Sequence, residues 1–280
     1  MTDFNRTVVA EFRAARGRVG GPFEGARLIL LTTVGARSGR PHTVPLGYLP
    51  DGVGRMLVIG SAGGSPRHPQ WYRNLLARPR VTIEDGVFRY PADARVLTGP
   101  EREAAFDRAA EADPGWAEYQ QKSGRQLPVV ALTAVEQGPP ESTAGSAGAT
   151  LVAVHDAFRR ELALIRQEVA AAGPALGAQL RINCLTVCAG LGLHHGFEDR
   201  GLFPMIAERA PELRDTLARL AEQHELVADR LAALRRVLDD HRSDPARLTV
   251  EVDRLCTELE DHLRYEEQQL VPLLESMPAP

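Results

Sequence analysis

Lys122 is the single lysine of the chain, and the arginines that carry nearly all its other positive charge are scattered. Basic runs interleaved with aromatics are missing, and aromatics make up only 5% of the residues, which excludes a nucleic-acid-binding surface. Cysteine is scarce and odd in number: Cys184, Cys188 and Cys256. Three such residues cannot form a disulfide framework, so free thiols are expected, with Cys184 and Cys188 serving as small buried hydrophobes. No apolar run approaches the roughly 18 residues of a membrane span, and the charged start MTDFNRTVVAEFRAARGRVGG lacks a signal-type apolar stretch. A cytoplasmic protein without a transmembrane segment is the expectation.

What is there is ordinary globular material, 280 residues with 44% hydrophobic and 25% charged, a length that favours two domains. Charge divides them. Residues 1–134 carry 18 basic and 13 acidic side chains, and residues 135–280 carry 15 and 24. The basic half suits a small anionic ligand. Six of the eight histidines fall beyond residue 150. Between the halves, EQGPPESTAGSAGAT (136–150) lacks periodicity and reads as a flexible linker spanning roughly 20 Å. The expected domains are therefore 1–135 and 151–280.

In the first, short β-rich runs (ARLILLTTV, TVPLGYL, RMLVIGSA, RVTIE, FRYPADARVL, LPVVALTAV) alternate with turn signals, and helical stretches lie around HPQWYRNLLAR and PEREAAFDRAAEA. This predicts an α+β, mostly antiparallel barrel or sandwich. In the second, period 3.6 predicts helices near 151–172, 176–208, 211–239 and 245–275, an up-down four-helix bundle.

Each of these helices places a histidine on its apolar stripe: His155 between Leu151 and Phe158, His194 after Leu191, His224 between Leu220 and Val227, and His262 after Leu259. Glu198 and Glu266 follow one turn after His194 and His262. Unpaired, these groups would cost several kcal/mol each in a leucine-rich core. A metal removes the cost, because His and Glu at i, i+4 share a helix face and can meet one centre. HHGFEDRGLFP (194–204) and HLRYEEQQLVP (262–272) repeat the spacing. His195, Asp199, Glu225 and Glu267 lie about 100° off the inward line and are the weaker candidates.

Residues 151–275 thereby resemble the hemerythrin-like HHE cation-binding family. The resemblance implies a non-haem di-iron centre held by His155, His194, Glu198, His224, His262 and Glu266, open to O2, peroxide or NO. Oxygen carriers of that kind have a second histidine on the third helix, where this chain has Ala228.

In the first half, GARSGRP (35–41) and GSAGGSPRHPQW (60–71) are Gly/Ser/Arg loops after strands, suited to cradling phosphate or carboxylate. Together with LLTTVGARSGRPHTVPLGYL, VIGSAGGSPRHPQWYRNLLARPRVTIE and DPGWAEYQQKSGRQLPVVAL, they make residues 26–134 similar to the deazaflavin-dependent nitroreductase and quinone reductase family of FMN-binding-like split β-barrels. That resemblance implies coenzyme F(420), with Arg37, Ser38, Arg40, Ser61, Gly63, Gly64 and Arg67 at its anionic groups and Trp71 and Tyr72 near its ring. Tyr119 is the implied proton donor, and a quinone, nitro compound or other electron-poor small molecule the implied acceptor. FMN in the same barrel, and a sensor whose modules only bind ligands, are the alternatives. A homodimer is compatible with either.

Overall fold

Along β1 (Leu28–Val34) successive side chains serve two apolar faces. Ile29 and Leu31 join Val58, Trp71, Leu75, Ile83, Val130 and Leu132 in one core, whereas Leu28 and Leu30 pack beneath Val8, Val9 and Phe12 of α1 (Asp3–Ala14). Burial on both faces is why this strand reads as an almost continuous hydrophobic run. The computed structural model to which it belongs describes residues 3–135, 141–172, 177–239 and 245–275. The chain folds as two units, with the boundary between Ala144 and Gly145.

The first unit adds β2 (Pro41–Gly47), β3 (Leu49–Pro50), β4 (Met56–Ile59), α2 (Gln70–Ala77), β5 (Arg80–Asp85), β6 (Phe88–Val96), α3 (Gly99–Ala112), α4 (Gly115–Ser123), β7 (Val129–Ala134) and β8 (Glu141–Ser142). The sheet runs β2-β1-β5-β6-β7-β4-β3, antiparallel throughout. Its end strands β2 and β3 are separated in sequence by Tyr48 alone. The sheet is therefore a curled antiparallel half-barrel, as the strand spacing predicts. A second core, built from Leu57, Ile59, Leu97, Phe106, Leu127 and Val129, lies where α3 covers the other face.

The linker reading needs correction. Residues 136–140 lie outside the described ones, but Glu141–Ser142 pairs with Phe88–Arg89 at the edge of β6, and the Thr143 N–H and Oγ1 both donate to the Val87 carbonyl at 3.0 and 3.1 Å. An unpaired strand edge offers backbone partners that polar composition alone does not reveal. Ser146 then accepts from the Ala149 N–H at 3.0 Å and caps α5 (Ala147–Ala171), which starts four residues before the predicted position.

The second unit continues with α6 (Ala178–Phe197), a π turn (Glu198–Leu202), α7 (Phe203–Arg209), α8 (Arg214–Asp239) and α9 (Pro245–Leu274). These are the four predicted helices, the second interrupted by the π turn. Residues 173–176 and 240–244, at the junctions of the predicted helices, and residues 276–280 lie outside the described residues. Ile165, Leu191, Leu220, Leu255 and Leu259 are among the buried side chains facing the bundle axis, and the three cysteines are buried and unbridged. Among the described residues no helix is long and apolar enough to cross a membrane.

Candidate functional site

The helical stripes of the bundle converge on a polar cluster. His155 comes from α5, His194 and His195 from the end of α6, Glu198 from the π turn, His224 from α8, and His262 and Glu266 from α9. All are buried except His194, whose side chain is 11% exposed. Glu198 lies between two helices' histidines, Oε1 at 3.2 Å from His194 Nε2 and Oε2 at 3.7 Å from His224 Nε2. Glu266 repeats the arrangement, with Oε2 at 3.6 Å from His155 Nε2 and 3.5 Å from His262 Nε2. One donor atom each from His195, His224 and His262 lie within 4.8 Å of one another, as do those of His155, His194 and Glu198.

The carboxylate oxygens of Glu198 and Glu266, and Nε2 of His195, His224 and His262, have no hydrogen-bond partner among the described residues. Burial, reinforced by neighbouring imidazoles, pushes His194 and His262 down to about 3 and His195 down to about 2. Burial likewise pushes both glutamates well above the usual carboxylate range. Left to itself the cluster is a set of neutral groups with unused lone pairs, and desolvation makes each of those costly. Neutral imidazoles and converging carboxylates are what borderline first-row metal ions bind, and two groups of donors spanned by two carboxylates fit a metal pair.

A ring of partners fixes the imidazoles from behind. His155 Nδ1 donates to Glu267 at 2.9 Å, His224 Nδ1 to Asp199 at 2.7 Å, and His262 Nδ1 to Gln223 at 2.9 Å. Each presents Nε2 to the centre, as in metal sites with oriented histidines. Burial opposes charge on Glu267, yet hydrogen bonds from His155 and Arg159 hold its pKa down at about 2.

All six candidate ligands read from the sequence come together here. His195, set aside there for pointing 100° from His194, also points inward: it stacks on His224 with centroids 4.1 Å apart and planes 5° apart. Neighbouring residues can both face the interior because the donors form two groups side by side, one served by each. The doublet HH was the available signal. Asp199 and Glu267, also set aside, are the acids behind His224 and His155, and Glu225 and Ala228 are exposed.

In the first unit both loops are pinned from below, leaving their arginines outward. In the first, Ala36 N–H donates to Asn74 Oδ1 at 3.1 Å, and Arg78 donates to the Gly35 carbonyl at 2.7 Å. Asn74 is fully buried and also donates to Thr33 Oγ1 at 3.0 Å. Arg37, Ser38 and Arg40 are exposed, and neither arginine makes an ion pair among the described residues. In the second, Arg125 gathers the carbonyls of Gly60 (2.9 Å), Ser61 (3.2 Å) and Ser65 (3.1 Å). Ala62, Gly63 and Gly64 are consecutively left-handed, with φ of 50°, 62° and 77°. A β-carbon on Gly64 would lie 2.7 Å from Lys122 Cδ, so the lone lysine of α4 lies over this turn. Such a turn, with its carbonyls drawn away, is suited to an anion.

Arg67 is exposed, and Trp71 is buried in the barrel core with half-buried Tyr72 beside it, their rings edge-on with centroids 6.2 Å apart. Tyr119, 40% exposed, stands edge-on to Trp116 on α4. Sequence reasoning missed Asn74 and Arg125, because their role is to hold loops made elsewhere in the chain.

Residues 4–134 match the family model of the F(420)H2-dependent quinone reductase, and residues 147–274 that of the hemerythrin HHE cation binding domain. An F(420)H2-dependent quinone reductase of Mycobacterium tuberculosis (strain ATCC 25618 / H37Rv) is 36% identical over 128 residues, which are 44% of this chain and 85% of the relative. This chain belongs to the F(420)H2-dependent quinone reductase family. Its reductase unit is also similar to a solved F(420)-H2 dependent reductase, 42% identical over 38% of this chain and 93% of that one, with a TM-score of 0.35. A solved structure described as a domain-swapped dimer is 37% identical over 45% of this chain and 92% of that one, with a TM-score of 0.37.

Proposed function

We propose that the reductase unit binds reduced coenzyme F(420) and reduces a quinone or another electron-poor organic acceptor, and that the bundle carries a non-haem di-iron centre that binds or senses O2, peroxide or NO. The observation carrying the second half is the buried, converging set of unpartnered Nε2 and carboxylate atoms, the donor chemistry that a first-row metal pair takes up. The first half is supported by family membership together with two pinned loops that leave Arg37, Arg40 and Arg67 free to meet anionic groups.

When bound, the reduced deazaflavin supplies a hydride. The protein's part is binding and alignment. Arg37, Ser38 and Arg40, with the turn Ser61, Ala62, Gly63 and Gly64, take the phosphate and carboxylates, while Tyr72, backed by core residue Trp71, borders the ring. Tyr119 is placed to hold or give a proton at its exposed phenol. In the bundle, His155, His194, His195, His224 and His262, together with Glu198 and Glu266, would hold the metal pair, which would supply the binding of O2, peroxide or NO. Hydride transfer moves two electrons, whereas an iron pair changes one at a time, so the bundle guards or regulates the reductase rather than accepting its electrons. The protein acts in the cytoplasm, and a homodimer is compatible with this arrangement.

Metal analysis and an absorption spectrum of anaerobically purified full-length protein, with a titration of F(420), test both halves. About two irons per chain and a saturable deazaflavin signal are expected. A bound yellow FMN, or a chain equally stable with and without iron, overturns the corresponding half. Multiple turnovers of a quinone with F(420)H2 are expected, and their absence makes the unit a binding module only.

A further inference from the structure

The two histidines that are hydrogen-bonded to carboxylates do not have equivalent partners. Glu267 Oε1 accepts from His155 Nδ1 at 2.9 Å and also from Arg159 Nη1 at 2.8 Å, and Arg159 reaches Asp156 at 3.2 Å besides. Asp199 Oδ1 accepts from His224 Nδ1 at 2.7 Å, and among the described residues no arginine or lysine forms an ion pair with Asp199. The Glu267 side chain is 22% exposed and that of Asp199 38%.

A carboxylate behind an imidazole draws on the Nδ1 proton and makes Nε2 a stronger donor, and second-shell partners of this kind tune the metal. A guanidinium bound to the same oxygen offsets part of that negative charge. We propose that Arg159 makes the two halves of the metal centre electronically unequal, weakening His155 as a donor while Asp199 leaves His224 the stronger one. Arg159 is a positioning and tuning residue, outside the ligand shell, and the inference rests on the metal reading above. The position served by His155 and His194 is then the more readily reduced one, and the position served by His224 the one that holds the higher oxidation state.

The test uses full-length protein loaded anaerobically with ferrous iron, counted by metal analysis, and titrated spectroelectrochemically for its midpoint potentials. Arg159→Gln removes the charge and should lower a midpoint potential at unchanged iron content. Arg159→Lys should restore the wild-type value, since a single nitrogen makes the contact to Glu267. Asp199→Asn should raise a potential, the opposite sign. Midpoints in Arg159→Gln that stay put or rise, or an Arg159→Lys that behaves as Arg159→Gln does, overturn the proposal. Should Arg159→Gln fail to hold iron, the Asp199→Asn arm decides: an unchanged or lowered potential there overturns it as well. Wild-type protein that takes up no iron overturns the metal reading itself, and this inference with it.

Discussion

Replacing His195 by leucine should leave the metal-free chain about as stable or more so while cutting its capacity for metal. The imidazole is buried with Nε2 unpartnered, and removing such a group recovers roughly 1–3 kcal/mol of desolvation. Against this, the stacked contact with His224 at 4.1 Å is lost, worth about 0.5–1.5 kcal/mol for an aromatic pair. Leucine keeps most of the volume, so the cavity contribution is small. The balance runs from about 0.5 kcal/mol against the variant to about 2.5 kcal/mol in its favour, at roughly 3–5 °C of melting temperature per kcal/mol for a bundle of this size. Full-length protein in chelator, unfolded by heat and followed by helical circular dichroism, reads the first effect. Metal analysis after anaerobic loading reads the second, with about one metal fewer per chain expected. A variant that loses more than about 2 kcal/mol in chelator yet keeps its full metal content would show a structural histidine and refute the argument.

Arg37→Ala and Arg40→Ala should each weaken F(420) binding with melting temperature unchanged, because both side chains are exposed and make no ion pair among the described residues; isothermal titration checks the affinity, and an unchanged dissociation constant in both removes this loop from the site. Asn74→Ala should destabilise the reductase unit by about 1–3 kcal/mol, since it strands the Ala36 N–H and leaves Thr33 Oγ1 without its donor, and should loosen coenzyme binding at the loop it supports from below; denaturant titration and a coenzyme titration read the two. Glu267 titrates at about 2 in the folded chain against an ordinary 4.5, so its contribution is fully present above about 4.5 and is lost as pH falls toward 2. Metal-free Glu267→Gln should accordingly show a flatter acid limb of stability between those values than wild type, and identical limbs would contradict the assignment.

Much of this was legible in one dimension. A helix repeats every 3.6 residues, so the stripe holding Leu151, His155, Phe158 and Leu162 shows from sequence that His155 turns inward, and the same count places His194, His224 and His262. A short apolar, β-branched run and the turn residues after it likewise locate β1 and the loops at 35–41 and 60–71. These signals are local, and local periodicity gives each helix its own inward direction. It does not say how wide the interior is where the helices meet. His195 therefore looked wrong by 100°, until two donor groups side by side gave it a place. The three residues of α1 that reach the core, Val8, Val9 and Phe12, were too few to register as a stripe. The partners that orient the site were invisible for a related reason: Glu267 lies 112 positions from His155, Asp199 lies 25 from His224, and Arg125 gathers carbonyls some 60 residues before it. Sequence by itself determined which side chains leave their own helix or strand toward a core. Only the tertiary structure decided which of them meet, because a hydrogen bond between distant segments depends on the packing of whole elements and leaves no period in either one.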